Sequence, residues 1–412
     1  MNKTLLSVLI LLILNNCSAS KKVGFWDKDN KDQKQIENTK TILTKQARLE
    51  EEFNSNLYVK ISNGKFNQNS LNNQNDMGEL AYEGVLEKIG KYNFSKFNDF
   101  DFISPNPLFY NKNLVFYDNK GEITVYDENQ KTLWKNNFYN KSEKKIRQRI
   151  NFALKNTILI VTDDMAQYYA INIDSGKLLM TNKNIIPFKS NNKIKDDVFY
   201  AVDYKNILRS ISIQDGSEIW NLKTEESLTK SNTKISIVLD KKNIYFNNSI
   251  GDVTAVDIKS GQLVWQLPTQ NNNISQNAFQ LSNSELVINE NTIFFSNNKN
   301  EFYSIDTTTG LVNWITKISS DLKPVIIGNL VITISEKGYL YLVDKKSGNI
   351  IRINDLYKDY KDKKRKQIKP TGFFIALNKI YLTNSDGKLI IVNSNEGNIL
   401  NKIGRASCRE RE

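Results

Sequence analysis

Residues 243–265 read Asn243-Ile-Tyr-Phe-Asn-Asn-Ser-Ile-Gly-Asp-Val-Thr-Ala-Val-Asp-Ile-Lys-Ser-Gly-Gln-Leu-Val-Trp265, and they contain three β-prone runs separated by two turns. The second turn starts at Asp257, whose side chain can accept a hydrogen bond from the backbone two residues on. It ends at Gly261, which can adopt a positive φ. Three short strands cannot bury both of their faces, so this unit predicts copies of itself on either side.

Copies of this unit recur along the chain. The turn Gly is followed four residues later by a Trp in three units, namely Gly216 with Trp220, Gly261 with Trp265, and Gly310 with Trp314. An Asp lies four residues before the Gly at Asp257, Asp306 and Asp344. Three more units keep the Gly without the Trp (Gly176, Gly348 and Gly397), and the earliest unit has Trp134 without a Gly. The turn glycines lie 38 to 49 residues apart, which is the repeat length of propeller blades.

Each unit is also preceded by a further β-prone run. These inner strands are expected at residues 104–110, 235–239, 325–327 and 373–376. The chain is therefore predicted to be all-β, with seven visible four-stranded blades between residues 91 and 402.

The pattern Ala255-Val-Asp-x-x-Ser-Gly-x-x-x-Trp265 resembles the repeat of the pyrroloquinoline-quinone-like (PQQ-like) β-propeller family, and the resemblance covers about residues 104–402. In that family the Trp of the outer strand packs between neighbouring blades. A large aromatic residue at one fixed place in each blade favours the same interpretation, rather than a platform for a ligand.

The ends of the predicted ring indicate one further blade. Propellers commonly complete one blade from both ends of the chain, which leaves no unpaired edge. Residues 86–97 form an extra β-prone segment, which the resemblance identifies as the outer strand of a closing blade. Residues 403–412 resemble the translation of a sequencing adapter and are left out of the predicted fold. We therefore expect the intact protein to have eight blades.

The N-terminus predicts export and lipidation. Residues 1–16 have Lys3 followed by a short apolar run, as in a signal peptide, and the run is too short to span a bilayer comfortably. Residues 14–17 resemble a bacterial lipobox that ends at Cys17, and Ser18 resembles an outer-membrane sorting signal. Cleavage after residue 19 or 20 is the alternative. Residues 17–90 are expected to form a tether with a possible short helix at residues 30–53 and little to bury at 54–77.

Composition excludes several classes of function. The chain has no His, so His metal ligands and Ser-His catalysis are excluded, and Cys408 is the only Cys besides Cys17. The formal net charge of +12 indicates acidic partners or anionic lipid, although Lys is abundant throughout the chain. Seven of the twelve residues at 358–369 are basic, and they predict a docking patch or a solvated loop. The patch comprises Lys361, Lys363, Lys364, Arg365 and Lys366.

Three functions follow from the family resemblance and the anchor. Quinone-dependent dehydrogenases share the repeat, but they have an adjacent Cys pair and long insertions that this chain lacks. Signal, tether and propeller together resemble the BamB-type lipoproteins of the outer-membrane β-barrel assembly machinery. That resemblance implies a periplasmic scaffold with neither cofactor, metal nor enzymatic activity. Its expected partner is the barrel-shaped insertase or the periplasmic repeats of that insertase, and no binding of nucleic acid is expected. A surface lipoprotein that binds polysaccharide or protein is the third possibility, and pairing of a client strand with a blade edge stays open.

Overall fold

The computed structural model describes residues 51–61, 78–80, 82, 86, 107–118, 120–146, 148–226, 234–269 and 281–404. The strands within them form seven β-sheets, each a consecutive antiparallel run of four strands, and the last sheet gains a fifth strand. The all-β propeller with seven visible four-stranded blades is thus confirmed.

The sheets follow one another in chain order. Sheet 1 comprises β2 (Leu108–Tyr110), β3 (Asn113–Tyr117), β4 (Ile123–Tyr126) and β5 (Thr132–Asn136). Sheet 2 comprises β6 (Ile150–Lys155), β7 (Ile158–Asp163), β8 (Gln167–Asn172) and β9 (Leu178–Lys183). Sheet 3 comprises β10 (Lys193–Lys195), β11 (Val198–Val202), β12 (Ile207–Ser212) and β13 (Glu218–Lys223). Sheet 4 comprises β14 (Ile237–Leu239), β15 (Asn243–Asn247), β16 (Val253–Asp257) and β17 (Leu263–Leu267). Sheet 5 comprises β18 (Val287–Asn289), β19 (Thr292–Asn297), β20 (Glu301–Asp306) and β21 (Val312–Thr316). Sheet 6 comprises β22 (Val325–Ile327), β23 (Leu330–Ile334), β24 (Tyr339–Asp344) and β25 (Ile350–Asp355). Sheet 7 comprises β26 (Pro370–Ala376), β27 (Lys379–Asn384), β28 (Leu389–Asn393) and β29 (Ile399–Ile403). Strand β1 (Glu79–Leu80) pairs with β26 as the fifth strand of sheet 7. A 3-10 helix at Glu143–Lys145 and helix α1 (Asp362–Arg365) lie between strands.

Burial decreases from the middle strands of each sheet to its last, outer strand. All five residues of β15 are buried, because the apolar side chains on both faces meet a neighbouring sheet. The outer strand β17 of the same sheet has exposed and half-buried residues instead. Clusters of buried side chains fill the six successive gaps between neighbouring sheets, from sheets 1 and 2 to sheets 6 and 7. The core is therefore a series of interfaces between sheets.

Some predicted strands differ in length from those in the structure. The inner strand of sheet 4 begins two residues later than predicted, at Ile237, and that of sheet 7 begins earlier, at Pro370. The described part of the first inner strand covers only Leu108–Tyr110. Residues 87–97 lie outside the described residues, so the closing strand and the eighth blade stay predictions.

Part of the segment assigned to the tether lies against the propeller. Ile61 is fully buried in the cluster between sheets 6 and 7, and Val59 packs against that cluster. Further along, Glu79–Leu80 pairs in parallel with β26. The apolar side chains at these positions have a surface to bury against, which sequence reasoning did not anticipate. Cys17 lies outside the described residues.

Candidate functional site

The repeated Trp residues lie between neighbouring sheets, beside the turn Gly of the next sheet. The indole N–H of Trp265 donates a hydrogen bond of 2.9 Å to the carbonyl of Thr307, three residues before Gly310. Trp220 makes the same contact with Ile258, three residues before Gly261, at 3.2 Å. The other members of this series are Trp134 with Ile173 at 2.7 Å and Trp314 with Lys345 at 3.1 Å. We call these contacts the Trp–Gly seams.

The repeated Asp residues are engaged in their own turns. Oδ1 of Asp257 accepts hydrogen bonds from the backbone N–H of Lys259 at 3.1 Å and of Ser260 at 2.8 Å. The hydroxyl of Ser260 donates a third bond at 2.9 Å. These bonds, led by the Ser260 N–H, hold the pKa of Asp257 below its usual value. Asp306 and Asp344 are bonded in the same way within their turns.

Sheet 6 carries Arg352 where sheets 1, 3, 4 and 5 have a Trp. Its guanidinium donates to the carbonyl of Ser394 at 2.6 Å, three residues before Gly397, and so forms the same contact as a seam Trp. It also donates to the carbonyls of Asn395 and of Leu57, the latter at 2.8 Å. Arg352 is fully buried, and desolvation lowers its pKa to about 10. Its additional donors allow it to hold a second segment that a Trp cannot hold.

That second segment is the described stretch at residues 52–61. Phe53 forms a bridge with Ile353 of β25 through backbone bonds of 3.1 and 2.8 Å. The side-chain amide of Asn354 donates to the carbonyl of Ser55 at 2.9 Å. The backbone N–H of Ile61 reaches the side chain of Asn395 at 2.7 Å. The segment is thus fixed to the outer edge of sheet 6 and to the turn of sheet 7.

The predicted docking patch lies between sheets 6 and 7, and two of its five residues make internal contacts. Arg365 of α1 pairs with Asp355 at 2.7 Å and lies over the ring of Tyr339 at 5.1 Å. Lys364 pairs with Asp386 at 3.9 Å. The three other predicted members, Lys361, Lys363 and Lys366, are exposed.

Two further lysines join this patch around Tyr360. The ammonium groups of Lys364, Lys388 and Lys402 lie 5.2, 5.9 and 4.9 Å from the centre of its ring. Cations are attracted to the face of an aromatic ring at such distances. Sequence reasoning missed Lys388 and Lys402 because both are isolated in the chain and belong to sheet 7. We call the five predicted residues together with these two lysines the basic surface.

Charged residues also occur where the inner strands begin. Lys193, the first residue of β10, is 4% exposed, and desolvation lowers its pKa to about 7. Lys323 pairs with Glu285 at 3.9 Å. In the part of the chain that the structure describes, acidic and thiol side chains form no group of three or more that could hold a metal ion. Among the same residues, no helix has the length and apolar character needed to cross a membrane.

Comparisons with known proteins agree with this architecture. A family model described as outer membrane protein assembly factor BamB matches residues 119–354, which is more than half of the chain. The outer membrane protein assembly factor BamB of Legionella pneumophila (strain Paris) is 22% identical over 167 residues. That match spans 38% of this chain and only 41% of the relative.

Two solved structures show the same fold. BamB from Moraxella catarrhalis gives a TM-score of 0.58 at 14% identity, over 74% of this chain and 88% of that one. A europium-containing methanol dehydrogenase gives a TM-score of 0.57 at 10% identity, over 73% of this chain and 77% of that one. At these identities, the two structures are evidence for the fold alone.

Proposed function

The chain belongs to the BamB family of PQQ-like β-propeller proteins, and from that premise we propose that it is a non-enzymatic scaffold lipoprotein of outer-membrane protein assembly. In this proposal Cys17 carries the lipid anchor at the periplasmic face of the outer membrane of a Gram-negative bacterium. The partner is a protein of the assembly machinery, the barrel-shaped insertase or its periplasmic repeats. The family match over residues 119–354 carries the proposal.

The chemistry of the repeated acids supports a role without catalysis. Asp257, Asp306 and Asp344 have their pKa values lowered, chiefly by hydrogen bonds from the backbone of their turns. A general acid or base is most effective when its pKa lies near the working pH. Carboxylates held ionised by their own turns therefore suit a structural role.

The basic surface is the contact region that we assign to an acidic partner. Lys361, Lys363 and Lys366 are exposed; Lys364 is exposed as well but lies 3.9 Å from Asp386, and Arg365 is ion-paired with Asp355. Exposed charges of one sign chiefly accelerate and orient association, and their effect weakens with salt. The three exposed lysines therefore provide the attraction, and the paired residues hold the loop in place.

Co-purification from detergent-solubilised outer membranes tests the proposal. The tagged chain should retain a protein of the assembly machinery at low salt, and the variant Lys361→Glu, Lys363→Glu, Lys366→Glu should retain less of it there, with a difference that shrinks as salt is raised. The matched control reverses three exposed lysines on sheets 1 and 2, namely Lys131, Lys177 and Lys183. Equal loss in both variants would assign the effect to net charge alone. If no protein of the assembly machinery co-purifies with the unmodified chain, the scaffold assignment is refuted.

A quinone-dependent dehydrogenase is the alternative, because that class of enzyme shares the PQQ-like repeat. Added pyrroloquinoline quinone and calcium should give no spectral shift with the purified protein and no dye-linked oxidation of alcohols or sugars. A saturable quinone site in the micromolar range would favour the enzyme instead.

A further inference from the structure

The inner strands of sheets 3, 4 and 5 begin next to one another at the centre of the propeller. Blades are arranged around a central channel, and the innermost strand of each blade faces it. Between sheets 3 and 4, Ser190 forms a parallel bridge with Ile235, just before β10 and β14. Between sheets 4 and 5, the backbone N–H of Leu286 donates to the hydroxyl of Ser236 at 2.9 Å. Direct bonds therefore hold the beginnings of these strands together.

Four charged side chains come from the beginnings of the inner strands. Lys193 is the first residue of β10, and Lys234 lies three residues before β14. Glu285 and Lys323 each lie two residues before the inner strand of their sheet, and they pair at 3.9 Å. We call these four residues the axial cluster. It unites three lysines and one glutamate from the four consecutive sheets 3 to 6.

The charges of the axial cluster act on one another across the channel. Lys193 is 4% exposed. Desolvation and the charges of Lys323 and Lys234 lower its pKa to about 7, against an opposing effect of Glu285. Sheets 3 and 6 are separated by two other sheets along the ring. The effect of Lys323 on Lys193 therefore places both side chains at the central channel.

Solvent reaches the axial cluster. Lys234 is exposed, yet desolvation by the protein around it lowers its pKa. A side chain that is open to solvent and still surrounded by protein lies in a recess. The side chain of Glu285 is 48% exposed and that of Lys323 is 19% exposed. A small solute thus has access to the ammonium groups.

The axial cluster has an excess of positive charge. Three protonated lysines against one carboxylate give it a net charge of +2. The loops that lead into β14 and β18 add no carboxylate in sequence, because residues 227–233 and 270–280 contain neither Asp nor Glu. A recess with one sign of charge and walls of low dielectric concentrates ions of the opposite sign. A bound anion would also offset the cost of burying like charges together.

We propose that the axial cluster binds a small doubly charged oxyanion, of the phosphate or sulfate class, in the central channel of the propeller. The ammonium groups of Lys193, Lys234 and Lys323 donate charge-assisted hydrogen bonds to its oxygens. The two charges of the anion match the excess of positive charge, so a dianion should bind more tightly than a monoanion. The inference is independent of the proposed function.

Isothermal titration calorimetry of the purified full chain with sodium sulfate tests the proposal. Sulfate stays doubly charged on both sides of pH 7, so a pH dependence of binding comes from the protein. At constant ionic strength in sodium chloride, we expect one sulfate per chain. Its affinity should fall as the pH rises through about 7, because Lys193 loses its proton. Acetate, a monoanion, should bind more weakly.

Three variants give opposite expectations. Lys193→Met should weaken sulfate binding about tenfold below pH 7, the effect of losing one hydrogen bond to a charged group, and should remove the pH dependence. Glu285→Gln keeps the shape of the side chain but removes the negative charge, so it should bind sulfate more tightly than the unmodified chain. Lys195→Met is the matched control on β10 and should leave binding unchanged, because Lys195 donates to the carbonyl of Asp240 at 3.0 Å.

The outcomes separate a built site from a general effect of salt. Glu285 is half exposed, so Glu285→Gln should fold normally and tests the proposal even if Lys193→Met does not fold. No saturable binding below pH 7, equal binding by folded Lys193→Met, or weaker binding by Glu285→Gln would overturn the proposal. Sulfate that stabilises the unmodified chain and Lys193→Met equally acts by exclusion from the protein surface, which would overturn it too.

Two phosphate compounds identify the source of the anion. Inorganic phosphate should compete with sulfate for the axial cluster. Glycerol phosphate should compete as well if the anion is the end group of a larger molecule, and it should not compete if the recess admits only the free ion. Failure of inorganic phosphate to compete would contradict the assigned class of ligand.

Discussion

Substituting Gly310 by Ala tests the Trp–Gly seam against a control within the same chain. Gly310 has a φ of +73°, and a Cβ built on it lies 2.6 Å from Cδ2 of Trp265. Gly387 has a φ of +75°, and a Cβ there meets nothing within 4 Å. Both substitutions therefore introduce the same backbone strain, and only one drives an atom into an indole ring.

The expected magnitudes follow from these two terms. A left-handed conformation costs an L-residue about 1 to 2 kcal/mol, so Gly387→Ala should destabilise by roughly that amount. Overpacking a tight contact adds about 1 to 3 kcal/mol, so Gly310→Ala should cost roughly 2 to 5 kcal/mol. The entropy lost by the unfolded chain is the same for both and cancels in the comparison. The excess for Gly310→Ala measures the rigidity of the Trp265 contact.

Urea unfolding followed by circular dichroism measures both free energies. A third substitution, Trp265→Met, introduces the residue that sheet 2 uses, because Met180 lies beside Gly216. A flexible Met can move away from an added Cβ, so the cost of Gly310→Ala should fall towards that of Gly387→Ala in this background. Equal costs at the two glycines, or no change in the Trp265→Met background, would refute the assigned contact.

Three other predictions concern the anchor, the buried arginine and the buried lysine. Arg352→Ala should lower the free energy of unfolding by about 3 kcal/mol or more, because the carbonyls of Ser394 and Leu57 lose a charged donor. Limited proteolysis should then cut within residues 52–61. Unchanged stability and unchanged cleavage would show that Arg352 does not hold this segment. Burial lowers the pKa of Lys193 from 10.5 to about 7. Between pH 7 and 10.5 the native state therefore binds fewer protons than the unfolded state, so the free energy of unfolding should rise with pH in that range. Lys193→Met should abolish that rise in urea midpoints measured at several pH values, and a rise that persists would have another origin. Cys17→Ser should move the protein from the membrane fraction to the soluble periplasm because the lipid anchor is lost, and an unaltered distribution would place the anchor elsewhere.

The repeating blade could be predicted from sequence because its determinants are local. Asp257, Gly261 and Trp265 lie within nine residues of one another, and the turn between them closes through hydrogen bonds of adjacent residues. Copies of the same spacing reveal the unit even where one residue is lost. The boundaries of the inner strands were less accurate, since no turn signal precedes those strands in the sequence.

The basic surface could be predicted only in part. A run of lysines in the sequence identifies the loop, but it does not show that Arg365 is held by Asp355 or that Lys402 approaches Tyr360. The first pair forms only when α1 folds back onto the end of β25, and the second only after sheet 7 has packed beside the loop that holds Tyr360. The tertiary structure therefore decided which charges remain available to a partner.

The sequence by itself determined the four-stranded unit, its number of visible copies and the residue type at each seam, because hydrogen bonds and apolar alternation over a few residues specify them. The tertiary structure alone decided which edge is covered. Arg352 appears in the sequence as a lost Trp, and its contact with Leu57 joins residues 295 positions apart. No local pattern encodes such a contact, since it depends on the position where the chain returns after six sheets.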